Sequence, residues 1–163
     1  MAIFCSLFSG SSGNSVYMES GGDGILIDAG VSLRSIRTAL ADIGADIGRV
    51  RAVFVTHEHS DHVRGLPVLA AHYDIPVYAS PGTVEGIAAE TKLPAERLTS
   101  LTTGCCVEVG DALCVSSFPT SHDSRESVGF RIHAEGMDIA VATDLGFVDE
   151  PAWLGIRACR LVM

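Results

Sequence analysis

The sequence predicts a layered α/β sandwich built as a single domain over residues 1–163. Two observations carry that prediction. Short apolar runs such as Ile25–Ile27, Val50–Val55 and Val128–His133 read as strands. Between them lie stretches with helical spacing that begin near Ser32, Val63 and Ser80, and strands mixed with short helices pack as layers. Composition agrees, since 47% hydrophobic against 19% charged residues is a packed globular balance, not a disordered one. At 163 residues the chain can also bury a real core.

Taken in order, Ala2–Phe8 reads as a strand, and Gly10-Ser11-Ser12-Gly13-Asn14-Ser15 as a loop of glycines and small polar residues. Val16–Glu19 returns, Gly21–Gly24 turns, and Ile25–Ile27 completes a β-meander that ends at Asp28-Ala29-Gly30. Ser32 caps a helix whose apolar positions are Leu33, Ile36, Leu40 and Ile43, and Gly44 stops it. After the Val50–Val55 strand and a polar turn, Val63–Tyr73 is expected as one helix. Ile75–Tyr78 is a short strand, and Ser80-Pro81 opens another helix with Pro in its first turn. Arg97–Gly104 is weakly patterned. Cys106–Val109, Leu113–Phe118, Val128–His133 and Ile139–Thr143 are strands; Leu154–Arg160 starts helical, and Arg160–Met163 enters a further strand.

The polar turn carries the chemistry. In Thr56-His57-Glu58-His59-Ser60-Asp61-His62, three imidazoles and the Asp61 carboxylate fall within six residues, and half of the chain's six histidines are there. Past the end of a strand, His57 and His59 sit two apart and share a face of the extended chain, so both can reach one cation. Asp61 and His62 lie beyond the bend and face a neighbouring position, which lets one loop serve two metals. Adjacent Ser121-His122-Asp123 is no catalytic triad, because neighbouring residues on an extended chain project to opposite sides. His72 and His133 have no motif around them.

His57-x-His59-x-Asp61-His62 after a buried strand resembles the signature of the metallo-β-lactamase superfamily. The segment Val55–Leu66 is similar to that of its bacterial WalJ/YycJ-type branch, whose members are predicted or demonstrated metal-dependent nucleases. The resemblance implies an αββα sandwich with the metal site along one edge of two packed sheets. It implies two further ligands, His122 in Phe118–Asp123 and Asp144 in Val141–Gly146. On this reading His57, His59 and His122 hold one metal, Asp61 and His62 the other, and Asp144 bridges them. Asp61 would also orient the nucleophile. Asp28 reads equally well as a turn residue, but the resemblance favours a carboxylate that accepts the free N–H of a liganding imidazole. Asn14 is the substrate-binding candidate in the Gly10–Ser15 loop.

The activity implied is metal-dependent hydrolysis of a phosphodiester in nucleic acid, with water ionised between two divalent cations attacking phosphorus in line. Zinc is the first choice, and manganese or iron suits the same donors. Thioester or lactone hydrolysis is the alternative within the superfamily, and a one-metal, non-catalytic binding module the alternative outside catalysis. The resemblance also implies longer relatives that continue past Met163 with further helices and a last metal-two histidine. The C-terminal part of the second half is then missing here, metal two is weakened, and an open sheet edge is left for self-association.

Charge opposes a broad grip on DNA: eleven basic against twenty acidic residues leave a net −9. Five cysteines, an odd number with no C-x-x-C pair, argue against a zinc ribbon or a disulfide framework and for a reducing cytoplasm. Met1-Ala2-Ile3-Phe4 lacks the basic region of a signal peptide, and no apolar run approaches the roughly 18 residues of a membrane span.

Overall fold

The computed structural model describes residues 2–163, which form an αββα sandwich. The first sheet opens with the antiparallel meander β1 (Ile3–Phe8), β2 (Ser15–Ser20) and β3 (Asp23–Ile27). β4 (Val50–Val55), β5 (Val77–Ala79) and β6 (Leu98–Ser100) then join in parallel, in that order. Connections between the parallel strands carry α1 (Leu33–Asp42), the single turn α2 (Ser60–Val63), α3 (Leu66–Tyr73) and α4 (Pro81–Glu90). The second sheet contains β7 (Cys106–Val109), β8 (Leu113–Pro119), β9 (Val128–Ala134), β10 (Met137–Val141) and β11 (Leu161–Val162). α5 (Glu150–Ile156) packs on its outer face.

Strand alternation builds the layers. Tyr17, Leu26, Val53 and Val55 point to one side of the first sheet and bury against Ile36, Leu40, Leu69 and Ile87 of the helices. Their neighbours Met18, Ile25, Ile27 and Phe54 point the other way, onto Val115, Phe130 and Ile132 of the second sheet. Phe54 stacks on Tyr78 at 5.1 Å between ring centroids and meets Phe130 edge-on at 5.5 Å, joining the sheets at their centre.

The helices start where their caps predict. Ser32 and Ser80 accept from Ser35 and Thr83 N–H, at 3.1 and 3.3 Å. Three elements differ from expectation. The helix foreseen over 63–73 is broken at Arg64-Gly65, because Gly65 N–H donates to Ala29 O at 2.8 Å and pulls the chain against the β3 end. Within the weakly patterned stretch, Leu98–Ser100 forms an edge strand by pairing with β5. α5 begins four residues earlier than expected, where Asp149 caps Ala152 N–H at 3.0 Å.

Cysteine usage also needs correcting. The hairpin through Gly110 folds β7 back on β8, so Cys106 and Cys114 become diagonal neighbours, 6.1 Å apart at Cα, and are joined in a disulfide. Spacing rules for C-x-x-C pairs do not see a bridge made by strand pairing. At the sheet's far edge Leu161 and Val162 of β11 are exposed, as are Phe147, Trp153 and Leu154 in and before α5. Among the described residues no helix is long and apolar enough to cross a membrane.

One glycine fixes the approach of the first loop to the site. A Cβ on Gly30 would run into the Asp61 carbonyl and come within 2.7 Å of Asn14 N. Gly30→Ala is expected to cost about 1–3 kcal/mol through overpacking, read as a lower urea midpoint at unchanged slope; a midpoint equal to the parent's would contradict this packing.

Candidate metal centre

The site lies at the carboxyl ends of four strands. β3 ends at Ile27, and Asp28 follows with its N–H donated to Phe54 O of parallel β4 at 2.8 Å. β4 ends at Val55, and Thr56 turns the chain with its N–H and hydroxyl both given to the Asp28 carboxylate, each at 2.8 Å. His57 to His62 follow. From the second sheet, His122 comes from the loop after β8 and Asp144 from the turn after β10. The sheets are laced together here by Val128 N–H donating to Thr56 O at 3.0 Å.

Two donor groups result. The ligand atoms of His57, His59 and His122 lie within 4.8 Å of one another, as do those of His57, His62 and Asp144. His57 thus faces both groups. Asp61 completes the second side: its Oδ2 is 3.5 Å from His62 Nε2 and accepts from Asn14 Nδ2 at 3.1 Å. All six expected ligands therefore converge from positions spread over 88 residues of chain, 57 to 144 inclusive.

The hydrogen bonds assign the imidazole tautomers. Thr56 Oγ1 spends its proton on Asp28, so it accepts from His57 Nδ1 at 3.0 Å and leaves the His57 lone pair on Nε2. That Nε2 is buried and has no partner among the described residues. A buried nitrogen lone pair without a donor is costly unless something electrophilic meets it. His62 Nδ1 donates to Asp28 Oδ2 at 2.7 Å, which turns its Nε2 toward Asp144 Oδ2 at 2.8 Å. Both backing contacts orient an imidazole for a cation. The donor set therefore fits divalent metal: neutral nitrogens and carboxylates converge, and one buried nitrogen, His57 Nε2, lacks any other partner among the described residues.

Electrostatics separate the two histidines. Burial pushes His57 down to about 2, and the neighbouring imidazoles of His62, His122 and His59 push the same way, so it stays neutral. Burial would also lower His62, but its hydrogen bond to Asp28 and the charges of Asp28, Asp61 and Asp144 outweigh it and raise the value above 6.5. Without metal, His62 therefore keeps a proton on Nε2 that a cation must displace. Metal affinity should rise with pH, by about tenfold per unit, up to the raised value and then level off. Calorimetric titration at several pH values checks this; a flat profile would contradict the His62 assignment.

The two carboxylates Asp28 and Asp144 both adopt left-handed backbone, with φ of 62° and 53°. Asp tolerates this better than most residues, and such strain collects where geometry is dictated by function. The Gly10–Ser15 loop lines an open cleft of about 400 Å³ beside Asp61 and Asp144. Three of its N–H groups are already committed: Gly10 to Asn14 Oδ1 (3.0 Å) and Gly13 to Gly10 O (3.0 Å) within the loop, and Asn14 to Asp61 O (2.8 Å) outside it. The Asn14 amide meets Asp61 and His62 Nε2, at 3.1 and 3.0 Å. Ser9, Ser11, Thr143 and Met163 complete the cleft, and no Lys or Arg lines it among the described residues. His72 and His133 stand apart; His133 pairs with Asp138 at 2.8 Å.

Two residues escaped sequence reasoning. Thr56, which links His57 to Asp28, is signalled only by its position beside a ligand at a strand end. Glu58, buried between two ligands, gave no signal at all.

Comparisons with known proteins agree with this architecture. Residues 24–163 match the family model described as the beta-lactamase superfamily domain. The chain is 35% identical over 148 residues to exodeoxyribonuclease YycJ of Bacillus anthracis, covering 90% of this chain and 56% of that protein. It is 33% identical over 147 residues to exodeoxyribonuclease WalJ of Streptococcus pneumoniae, covering 88% and 54%. The chain thus spans about half the length of these curated relatives. A Cronobacter sakazakii metallo-β-lactamase with a HARLDQ motif superposes with a TM-score of 0.72 at 22% identity, over 85% of this chain and 60% of that one.

Proposed function

The chain belongs to the beta-lactamase superfamily, whose metallo members bind divalent metal, and from that premise we propose that it is a metal-dependent phosphodiesterase acting on nucleic acid. The observation that carries the reading is the convergence of His57, His59 and His122 on one side and His57, His62 and Asp144 on the other, with His57 Nε2 otherwise unpartnered. The nuclease names of the relatives direct it to nucleic acid.

His57, His59 and His122 would hold one cation, and His62, Asp61 and Asp144 a second, with Asp144 reaching both. Divalent cations supply ionised water near neutral pH and polarise phosphoryl oxygens when bound. Asp28 fixes the His62 ring and, through Thr56, the His57 ring. Asn14 holds Asp61, and Asp61 orients the attacking water by accepting its hydrogen bond. The cleft beside the Gly10–Ser15 loop takes the scissile phosphate. Zinc fits first; manganese and iron fit the same donors. With no cationic side chain on the cleft among the described residues, substrate charge is met mainly at the metals, which agrees with the net −9. We place the protein in the cytoplasm, and the open β11 edge is available to a second copy.

Labelled single- and double-stranded DNA, incubated with zinc or manganese and with chelator, tests the reading. Metal-dependent release of nucleotides supports it. A metal-loaded protein that cleaves thioesters or lactones but no phosphodiester would replace it with the carbonyl-hydrolase alternative.

A further inference from the structure

Glu58 sits between two ligands and yet faces away from them. Its side chain is buried, and its Oε1 accepts from Arg125 N–H at 2.8 Å, across 67 positions of sequence. Its Oε2 is buried with no partner among the described residues. Burying a carboxylate with one hydrogen bond is costly, and an apolar side chain would fill the space more cheaply. The surroundings make room for it: a Cβ on Gly86 of α4 would come within 2.6 and 2.8 Å of Glu58 Cγ and Cβ.

The bond joins parts of the centre that come from different sheets. His122 lies between two fixed points, Ser121 O, which accepts from Gly146 N–H at 2.7 Å, and Arg125 N–H. Glu126, next along, is held to α4 by Ser80 Oγ and Thr83 Oγ1 on its carbonyl, at 2.6 and 3.1 Å, and by Gly82 N–H on its carboxylate at 2.6 Å. These ties fix the loop to α4 and to the Asp144 turn. Glu58 alone, among the described hydrogen bonds of side chains, runs from the 57–59 turn to the backbone of the His122 loop.

We propose that Glu58 is a positioning residue: its carboxylate ties the His122 loop to the His57–His59 turn and so sets the third nitrogen of the first donor group in place before metal arrives. This rests on the metal-binding reading above and not on the nature of the substrate.

Cobalt(II) titration of metal-free protein, followed by its visible bands, tests the proposal without reference to activity. Glu58→Ala should weaken the first equivalent about 10–100-fold and shift the bands. Glu58→Gln keeps an oxygen acceptor for Arg125 N–H and should restore both to near the parent's. In a His122→Ala background Glu58→Ala should add nothing, because its effect passes through His122. A full additional loss in that background, or an unchanged affinity and spectrum in Glu58→Ala alone, would overturn the proposal. A second measurement needs no variant: in the metal-free parent chain the Arg125 amide should be protected from hydrogen exchange, and free exchange there would overturn the tie directly. If the parent binds no cobalt, the metal reading fails, while Arg125 protection still reports on the tie.

Discussion

His59→Ala should remove divalent-metal-dependent hydrolysis almost completely while leaving the fold intact. The ring is half-buried at the site's rim, and its Nδ1 lies 3.3 Å from His122 Nε2. Removing it leaves the first donor group with two nitrogens, and losing a direct ligand should exceed the roughly 10–100-fold cost typical of a lost supporting contact. Because little apolar packing depends on the ring, unfolding free energy should change by no more than about 0.5 kcal/mol. His57→Ala would be a poorer test. That ring is fully buried against three other imidazoles, with centroids 4.0 Å from His62 and 4.6 Å from His59 and His122, so stability and metal would fall together. Metal content and turnover measured on His59→Ala beside a denaturation curve separate the two effects. Parent-like turnover in a metal-depleted variant would contradict the account.

Asp28→Asn should be the most damaging change at a residue that touches no metal. The Asp28 carboxylate accepts three hydrogen bonds, from Thr56 N–H, Thr56 Oγ1 and His62 Nδ1. An amide there offers one oxygen for three donors and presents its own N–H to a donor, so at least one of Thr56 and His62 turns. Metal affinity should fall about 10–100-fold. Breaking the buried Asp28–His62 pair should cost the metal-free protein about 3–5 kcal/mol, both side chains being essentially buried. Its pH dependence carries a defined sign. His62 has a folded value raised above 6.5, so the pair's contribution is fully present below that pH and is lost as pH rises through the raised value. The difference in stability between parent and Asp28→Asn, measured without metal, should therefore shrink toward alkaline pH. A difference that grows with pH would show that His62 is not the charged partner.

Much of this was legible in the sequence because the information is local. The apolar runs Val16–Glu19 and Val50–Val55 already read as strands. Ser32 and Ser80 announce their helices, and the His57–His62 turn announces its chemistry, since the donor spacing is short enough to be geometry. His122, Asp144 and Asp28 were reached through resemblance; each alone is an ordinary polar residue at a strand end. What spacing could not supply are contacts made by folding. The break at Gly65 depends on a carbonyl in the Ala29 turn, and β6 exists only because β5 is beside it. The Cys106–Cys114 bridge follows from hairpin register, and the Glu58–Arg125 bond closes 67 positions of chain. Asn14 illustrates a milder case. Its loop composition suggested contact with substrate, whereas its amide is also engaged by Asp61 and His62.

The central claim is that residues from both sheets form one centre able to hold divalent metal. Elemental analysis of metal per chain, on protein purified without added metal and again after loading and desalting, tests it most directly. The account predicts two equivalents after loading, falling in His59→Ala and in Asp28→Asn. No retained metal in the folded parent chain would contradict it.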